Sequence, residues 1–517
     1  MSDLPLITIL TLTPLLGGFL VMGLGAGRWP LARWLALACS FVVLALCLVI
    51  SARFDPAAGV MQFGERHQWI ASLAVDYRVG LDGLSLLLVL LTALVTPMAI
   101  LASWHIERQA QIYHGLVLLL QAGLFGTFTA LNFFHWFLFW ELSLVPAFFL
   151  IRLWGSPARS AAATQFFVYT MVGSVGLLLA FLAMFLATRT FDFLELAKLG
   201  REGALVQALA DTLGWRDLTV RRLAVVIFGG AFLGFAVKVP LIPFRTWLPA
   251  TYAEAPTGVT MLLTGLMSKM GVYGFLRILL PLFPEVMRWL TTPLLVLAVL
   301  TIVASAGAAL AQRDLKRMLA YSSINHLGYC LLGIFAVLNS PGSASGSLTH
   351  QSAALSGVLL QLFNHGLTAA TLFAFIGFLE NRAGGRRGLD DFGGLRKVAP
   401  VFCGLMGIAV FSSLGLPGLN GFISEFLIFQ GAFPLAPWAA SFSLLGLLLT
   451  AVFLLRLLQR VFYGPLNEKW VALADLSVGE RALVAPPLVL MLLIGVYPQP
   501  LLAVVNGTVI RMLEGGG

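Results

Sequence analysis

Apolar runs of about 20 residues follow one another almost without a break along this sequence, and few folds can accommodate that pattern. About fourteen can be marked, near 4–25, 32–52, 80–103, 112–131, 132–153, 163–187, 222–244, 255–282, 290–312, 317–338, 352–380, 399–433, 438–462 and 482–505. Each is long enough to cross a hydrocarbon core of about 30 Å at a helical rise of about 1.5 Å per residue. Hydrophobic residues make up 59% of the 517 and charged residues 11%, more apolar surface than a soluble core can bury. In lipid every backbone polar group must be satisfied within the protein, so spans are helices or closed barrels. Strands of alternating polar and apolar residues are absent from the pattern. The chain therefore reads as an all-α polytopic membrane protein of about 14 transmembrane helices, in a single membrane domain over 1–517.

The polar connections carry the remaining information. A net charge of +9 suggests nucleic acid only superficially; in a membrane protein the distribution of Lys and Arg among short loops sets orientation. Loops after odd-numbered runs hold the larger share, including Arg313/Lys316/Arg317, Arg382/Arg386/Arg387/Arg396/Lys397 and Arg456/Arg460. That places them in the cytoplasm and both termini on the outer side of an inner (cell) membrane or its equivalent. The opening MSDLPLITILTLTPLLGGFLVMGLG has no basic n-region and no A-x-A-like site, so it reads as a retained first helix. Residues 54–80 read as a small cap. FDFLELAKL, in the polar interruption Thr188 to Arg222, reads as an interfacial helix, and Arg382 to Leu395 as a flexible, solvated linker. Cys39, Cys47, Cys330 and Cys403 sit in apolar runs without C-x-x-C spacing and read as small core residues. No phosphate-binding loop, haem motif or iron–sulfur motif occurs, so no cofactor and no metal is expected on this chain.

Two runs are interrupted. FAVKVPLIPFRTWLP (Phe235 to Pro249) and SSLGLPGLNGFISEF (Ser412 to Phe426) each contain an apolar helix, a Pro/Gly break and a second apolar piece, with one charge beside the break. The charges, Lys238 and Glu425, are 187 residues apart, about five spans, so the second unit is inverted relative to the first. Broken helices at corresponding positions of inverted repeats are a transporter architecture. Their freed carbonyls are tolerable at membrane depth only where protein or water satisfies them, which predicts a wet cavity in each half.

Ionisable residues stand deep in apolar runs: Glu141 in FHWFLFWELSLVPAFFLI, Lys238, Lys269 in VTMLLTGLMSKMGVYGFL, His365 in LLQLFNHGLTAATLF, and Glu425. His326, in YSSINHLGYCLL, lies nearer the start of its run. An isolated charge at the bilayer centre costs about 2.5–3.5 kcal/mol on insertion scales. These groups are therefore expected to face one another or water. A Lys–carboxylate pair about 4 Å apart gains ~4 kcal/mol at an effective dielectric of about 20, enough to offset insertion and not enough to be permanent. A buried lysine that gains and loses its acid swings in proton affinity, which is the working part of a proton pump. Thr260, Thr264 and Ser268 give the Lys269 run a polar stripe. Arg245 reads as a structural or gating charge, His114 and His135 as interfacial.

The stretches FWELSLVPAFFLI, KVPLIPFRTWLPATYAEAPTGVTMLLTGLMSKMGVYGFLR, RDLKRMLAYSSINHLGY, NHGLTAATLF and GLPGLNGFISEF resemble, in order and over roughly 75–465, the antiporter-like subunits of respiratory complex I. Glutamate at 425, where L-like and N-like subunits and Mrp-type antiporters usually carry lysine, points to the M-like (chain 4) branch. The resemblance implies N-terminal helices over 1–110, a five-helix repeat over 112–282, its inverted copy over 290–462 and a C-terminal helix over 482–505. It implies a Glu141–Lys238 ion pair, Lys269 as central relay, His326 and His365 along the axis, and Glu425 at its end. It also implies NADH, FMN, iron–sulfur clusters and quinone on partner subunits, with L-like and N-like subunits as neighbours. Arg245 departs from the histidine common at that position, and arginine stays charged. A secondary transporter of the Mrp sodium/proton type, the equivalent subunit of a complex with another electron donor, and a scaffold that has lost pumping are the competing readings.

Overall fold

Helix occupies every apolar run in the computed structural model of the protein, which describes residues 4–73, 75–214, 219–339 and 345–514. Among the described residues twelve helices are long and apolar enough to cross a membrane, from Trp29–Arg53 to Val478–Val496. The run at 4–25 forms the shorter helix Leu6–Met22, and the run at 399–433 divides into Pro400–Ser413 and Asn420–Leu435. The expected C-terminal helix also divides, because Val478–Val496 ends before Pro498 and a separate helix, Gln499–Glu514, follows.

Burial sorts the helices into a centre and a rim. Thr257–Leu282 and Ser345–Arg382 are enclosed along their spanning segments, while Trp29–Arg53, Arg159–Thr188 and Pro437–Phe462 turn Leu48, Leu179 and Leu448 outward. Apolar side chains outside and polar ones at the centre are the arrangement lipid favours. Close approach of helices uses small residues. A Cβ at Gly123 would lie 2.8 Å from the Ser143 nitrogen, so helix Ala110–Thr129 can meet Phe133–Trp154 there only with glycine.

The two ends of the bundle are built differently. Residues 54–80, expected as a cap, contain the first strand of an antiparallel hairpin, Gln62–Ile70 paired with Val75–Leu81, so the chain is not purely helical. Glu65 accepts from the Ile7 nitrogen at 2.7 Å, and Thr8 and Tyr77 hydroxyls meet at 2.6 Å, which fixes the hairpin over the first helix. The C-terminal helix lies at the same end, where Thr508 Oγ1 accepts from the Gly83 nitrogen at 2.8 Å. FDFLELAKL forms the expected helix, Phe193–Arg201, capped by Asp192 and burying Phe193, Leu196 and Ala197; residues 215–218 of that interruption lie outside the described residues.

At the opposite end Arg382 to Leu395 is not a free linker. Arg387 Nε donates to Asp314 at 2.6 Å, its Nη2 to Glu254 at 3.0 Å, and its Nη1 to Glu380 at 3.3 Å and to the Ala253 carbonyl. Arg382 pairs with Glu480. The charge run that looked solvated is ordered by carboxylates from distant helices, which a scan for local charge composition does not connect.

Candidate functional site

Both breaks are satisfied within the protein, each by a different device. Helix Val220–Lys238 stops at Pro240, which has no N–H to give the Ala236 carbonyl. The Leu241 nitrogen bonds to that carbonyl instead at 2.9 Å, and Trp247 Nε1 donates to the Val237 carbonyl at 2.9 Å. Thr301 accepts from the Ile242 nitrogen at 3.1 Å, and Arg245 donates to Ser305 at 2.9 Å. Arg245 thus sits in the connection between the helix pieces, holding it to helix Thr291–Ala311.

Around the second break the polar groups form a cluster. Asn364 Nδ2 donates to the Asn420 carbonyl at 2.9 Å, Ser424 donates to Gln361 at 2.5 Å, Ser412 donates to Asn420 Oδ1 at 2.5 Å, and Thr368 and Ser412 hydroxyls meet at 3.0 Å. Gly415 has φ of +77°, and a Cβ there would come within 2.9 Å of the Glu425 carboxylate. The turn and the acid are therefore fitted to each other.

Lys238 is the last residue of its half-helix, at the partially negative carbonyl end that suits a cation. Its ammonium lies over the Trp140 ring, 4.7 Å from the centroid. The expected direct Glu141–Lys238 ion pair is not formed, since no ion pair within 4.0 Å joins them among the described residues. One reason is its placement: Glu141 is half-buried on the face of its helix that turns Leu138, Val145 and Phe149 outward, and its Oε1 has no partner.

Lys269 is fully buried on a helix distorted by a π-helical turn, Leu263–Met267. The Ser268 nitrogen bonds five residues back to Leu263 at 3.1 Å, which leaves the Thr264 carbonyl for other donors. Lys269 Nζ and Ser268 Oγ both donate to it, the latter at 3.1 Å. Lys269 Nζ also lies 2.9 Å from His365 Nδ1. His365 faces His326 with ring centroids 5.0 Å apart, and His326 Nδ1 lies 2.9 Å from Glu425 Oε1, at ion-pair distance without hydrogen-bond alignment. Ser413 approaches the other nitrogen of His326 at 3.3 Å. Four residues from four helices, Lys269, His365, His326 and Glu425, thus form one contiguous buried line. The threonine stripe serves it in part: Thr264 meets Ser323 at 3.0 Å, whereas Thr260 is turned to the backbone carbonyls of Tyr252 and Ala255, before its own helix.

Residues 130–451 match the family described as NADH:quinone oxidoreductase/Mrp antiporter, TM, and residues 34–127 match NADH-ubiquinone oxidoreductase chain 4, amino terminus. The chain belongs to this family, in its chain 4 branch. Among its members, NADH-quinone oxidoreductase subunit M of Rhodobacter capsulatus is 35% identical over 98% of this chain and 96% of its own length. F(420)H(2) dehydrogenase subunit M of Methanosarcina mazei is 36% identical over 96% of each. A chain of respiratory complex I from Thermus thermophilus superposes with a TM-score of 0.83 at 28% identity, covering 99% of this chain and 100% of that one. A chain of the Mrp complex from Dietzia has the same fold, with a TM-score of 0.83 at 20% identity.

Sequence reading passed over several buried charges of this family member. Arg277 sits inside an apolar run, in GFLRILL, and pairs with Asp82, both side chains 5% exposed. Lys316 looked like a loop residue but is buried and pairs with Glu380 at 2.6 Å. The arginine in the run was a usable signal; the distant acids were not. His114 and His135, expected at interfaces, are buried.

Proposed function

We propose that the chain is the proton-translocating M-type subunit of the membrane arm of a complex I-type quinone oxidoreductase, and that the line Lys269–His365–His326–Glu425 carries the protons. The observation that carries this reading is the continuity of that line at mid-depth, from a lysine beside the π-helical turn of Thr257–Leu282 to the acid beside the second break. Lys238, held over Trp140, loads the line: when the charge of Glu141 is withdrawn, its proton passes towards Lys269. The helices at 112–282 and 290–462 act as inverted repeats, each contributing one break and one buried lysine or acid.

Glu141 supports a partner. A carboxylate half-exposed on an outward face at mid-depth is costly against lipid, so an L-like or N-like subunit packed on that face is the natural neighbour. NADH, FMN, iron–sulfur clusters and quinone belong to partner subunits in this reading. The donor itself is set elsewhere, since similar M subunits occur under names that specify NADH and F(420)H(2). The greater density of Lys and Arg at the Arg387 end orients it to the cytoplasm and the termini outward.

The test is redox-driven acidification in vesicles containing the whole complex. Lys269→Met is expected to abolish this subunit's contribution while the complex still assembles, and undiminished translocation would overturn the reading. An Mrp-type antiporter would instead move protons in response to an imposed sodium gradient without any electron donor.

A further inference from the structure

At the end that carries the hairpin, two cavities of about 750 and 410 Å³ lie side by side between helices Phe193–Arg201, Thr257–Leu282 and Gln499–Glu514. They share Leu194, Arg201, Arg277 and Met512 as a common wall. Neither belongs to the relay described above. Their charge is unbalanced: Lys198, Arg201, Arg277, Arg288 and Arg511 line them against Asp82, Glu285 and Glu514. Asp82 is taken by Arg277. Among the described residues Lys198, Arg288 and Arg511 form no ion pair. Arg277 is 6% exposed, and its Nε has no hydrogen-bond partner. A buried guanidinium nitrogen without an acceptor, on a wall shared by both cavities, points to an acceptor supplied from outside the chain.

The walls say what kind of acceptor. The larger cavity is also lined by Leu276, Leu280, Val337 and Leu348, and Leu348 is 48% exposed, so the cationic wall borders an apolar face that opens outward. Its level is that of helix ends: Arg277 is near the end of its span, and Asp82 caps the helix beginning at Gly83. Free phosphate would use the cations and leave the apolar face uncovered. We infer that this double cavity binds an anionic phospholipid, its phosphate held by Arg277, Arg288 and the cations of the smaller cavity and its acyl chains lying along the leucine wall. Basic pockets between transmembrane helices recognise anionic headgroups in this way, and arginine favours phosphate oxygens through paired N–H donors.

The experiment uses the intact complex, purified in mild detergent, stripped of lipid and then offered vesicles of phosphatidylglycerol or of phosphatidylcholine. Wild type is expected to take up about one more phosphatidylglycerol than an Arg288→Gln/Arg511→Gln variant, counted by native mass spectrometry. Equal uptake by both, or equal uptake of the two lipids by wild type, would overturn the inference. Leu348→Asp breaks the apolar face without touching a cation and is also expected to lose the lipid; retention there would remove the acyl-chain assignment. Competition by millimolar inorganic phosphate would assign the site to a free anion instead. Crosslinking of Leu348→Cys to another subunit in place of lipid would assign it to a protein contact.

Discussion

The Nδ1 of His326 lies 2.9 Å from Oε1 of Glu425, and the same ring stands 5.0 Å from His365. An imidazole between a carboxylate and a second imidazole can take a proton from one side and give it up on the other. Lysine at position 425 would set a second cation against His326. Glu425→Lys should therefore impair translocation more than Glu425→Gln, and His326→Ala in the same chain should restore part of the difference. A double-mutant cycle on vesicle acidification rates should show a coupling on the order of 0.5–3 kcal/mol; strictly additive losses would separate the two residues functionally.

Lys269 offers a second check. Its ammonium donates to the Thr264 carbonyl and approaches His365. Arginine keeps the charge but does not release a proton at cellular pH. Lys269→Arg is expected to slow translocation by about 100-fold, in the range of a lost acid–base group, with the complex still assembled on native gels. Near-normal rates would remove Lys269 as a proton carrier.

The Lys238 ammonium rests over the indole of Trp140, 4.7 Å from the ring centroid. A cation–π contact contributes about 0.5–2 kcal/mol. Trp140→Leu should slow the pump by about 2- to 30-fold on that scale, while Trp140→Phe keeps most of the rate. An unchanged rate in Trp140→Leu would mean that Lys238 does not depend on the ring.

Arg387 joins three acids at once. Arg387→Lys retains a charge and loses the fork, so three buried or half-buried carboxylates lose part of their pairing. The expected loss is about 1–3 kcal/mol, the range for hydrogen bonds to charged groups left unmade, seen as a lower temperature of dissociation for the purified complex. Arg460, 57% exposed and 4.0 Å from Asp390, is the control, with little change expected for Arg460→Ala.

The spans, both breaks and the six deep ionisable residues were legible because lipid imposes a length and makes any charge inside an apolar run conspicuous. Partnering was less so. Lys269 and His365 are 96 residues apart and meet at 2.9 Å through tertiary packing that no local pattern encodes. Glu141 was paired with Lys238 on the strength of the family resemblance, while the fold sets the Lys238 ammonium over the Trp140 ring, 4.7 Å from its centroid. Asp82 escaped notice for a different reason: it caps its helix, accepting from the Ser85 nitrogen at 3.0 Å, and so stands at the very start of the 80–103 run rather than deep within it. The hairpin was missed because strands as short as Val75–Leu81 leave little alternation to detect beside so much helix.

Arg387 lies outside the spanning segments, and its ordinary ionisation is altered: burial pulls it down, but Asp314, Glu380 and Glu254 outweigh that and hold it above the usual arginine range. The fastening at that end therefore keeps its charge at every acidity the two faces of an energised membrane present. A device that works by protonating and deprotonating its middle is anchored by the one kind of side chain that does not titrate with it, so its frame stays fixed while its contents change.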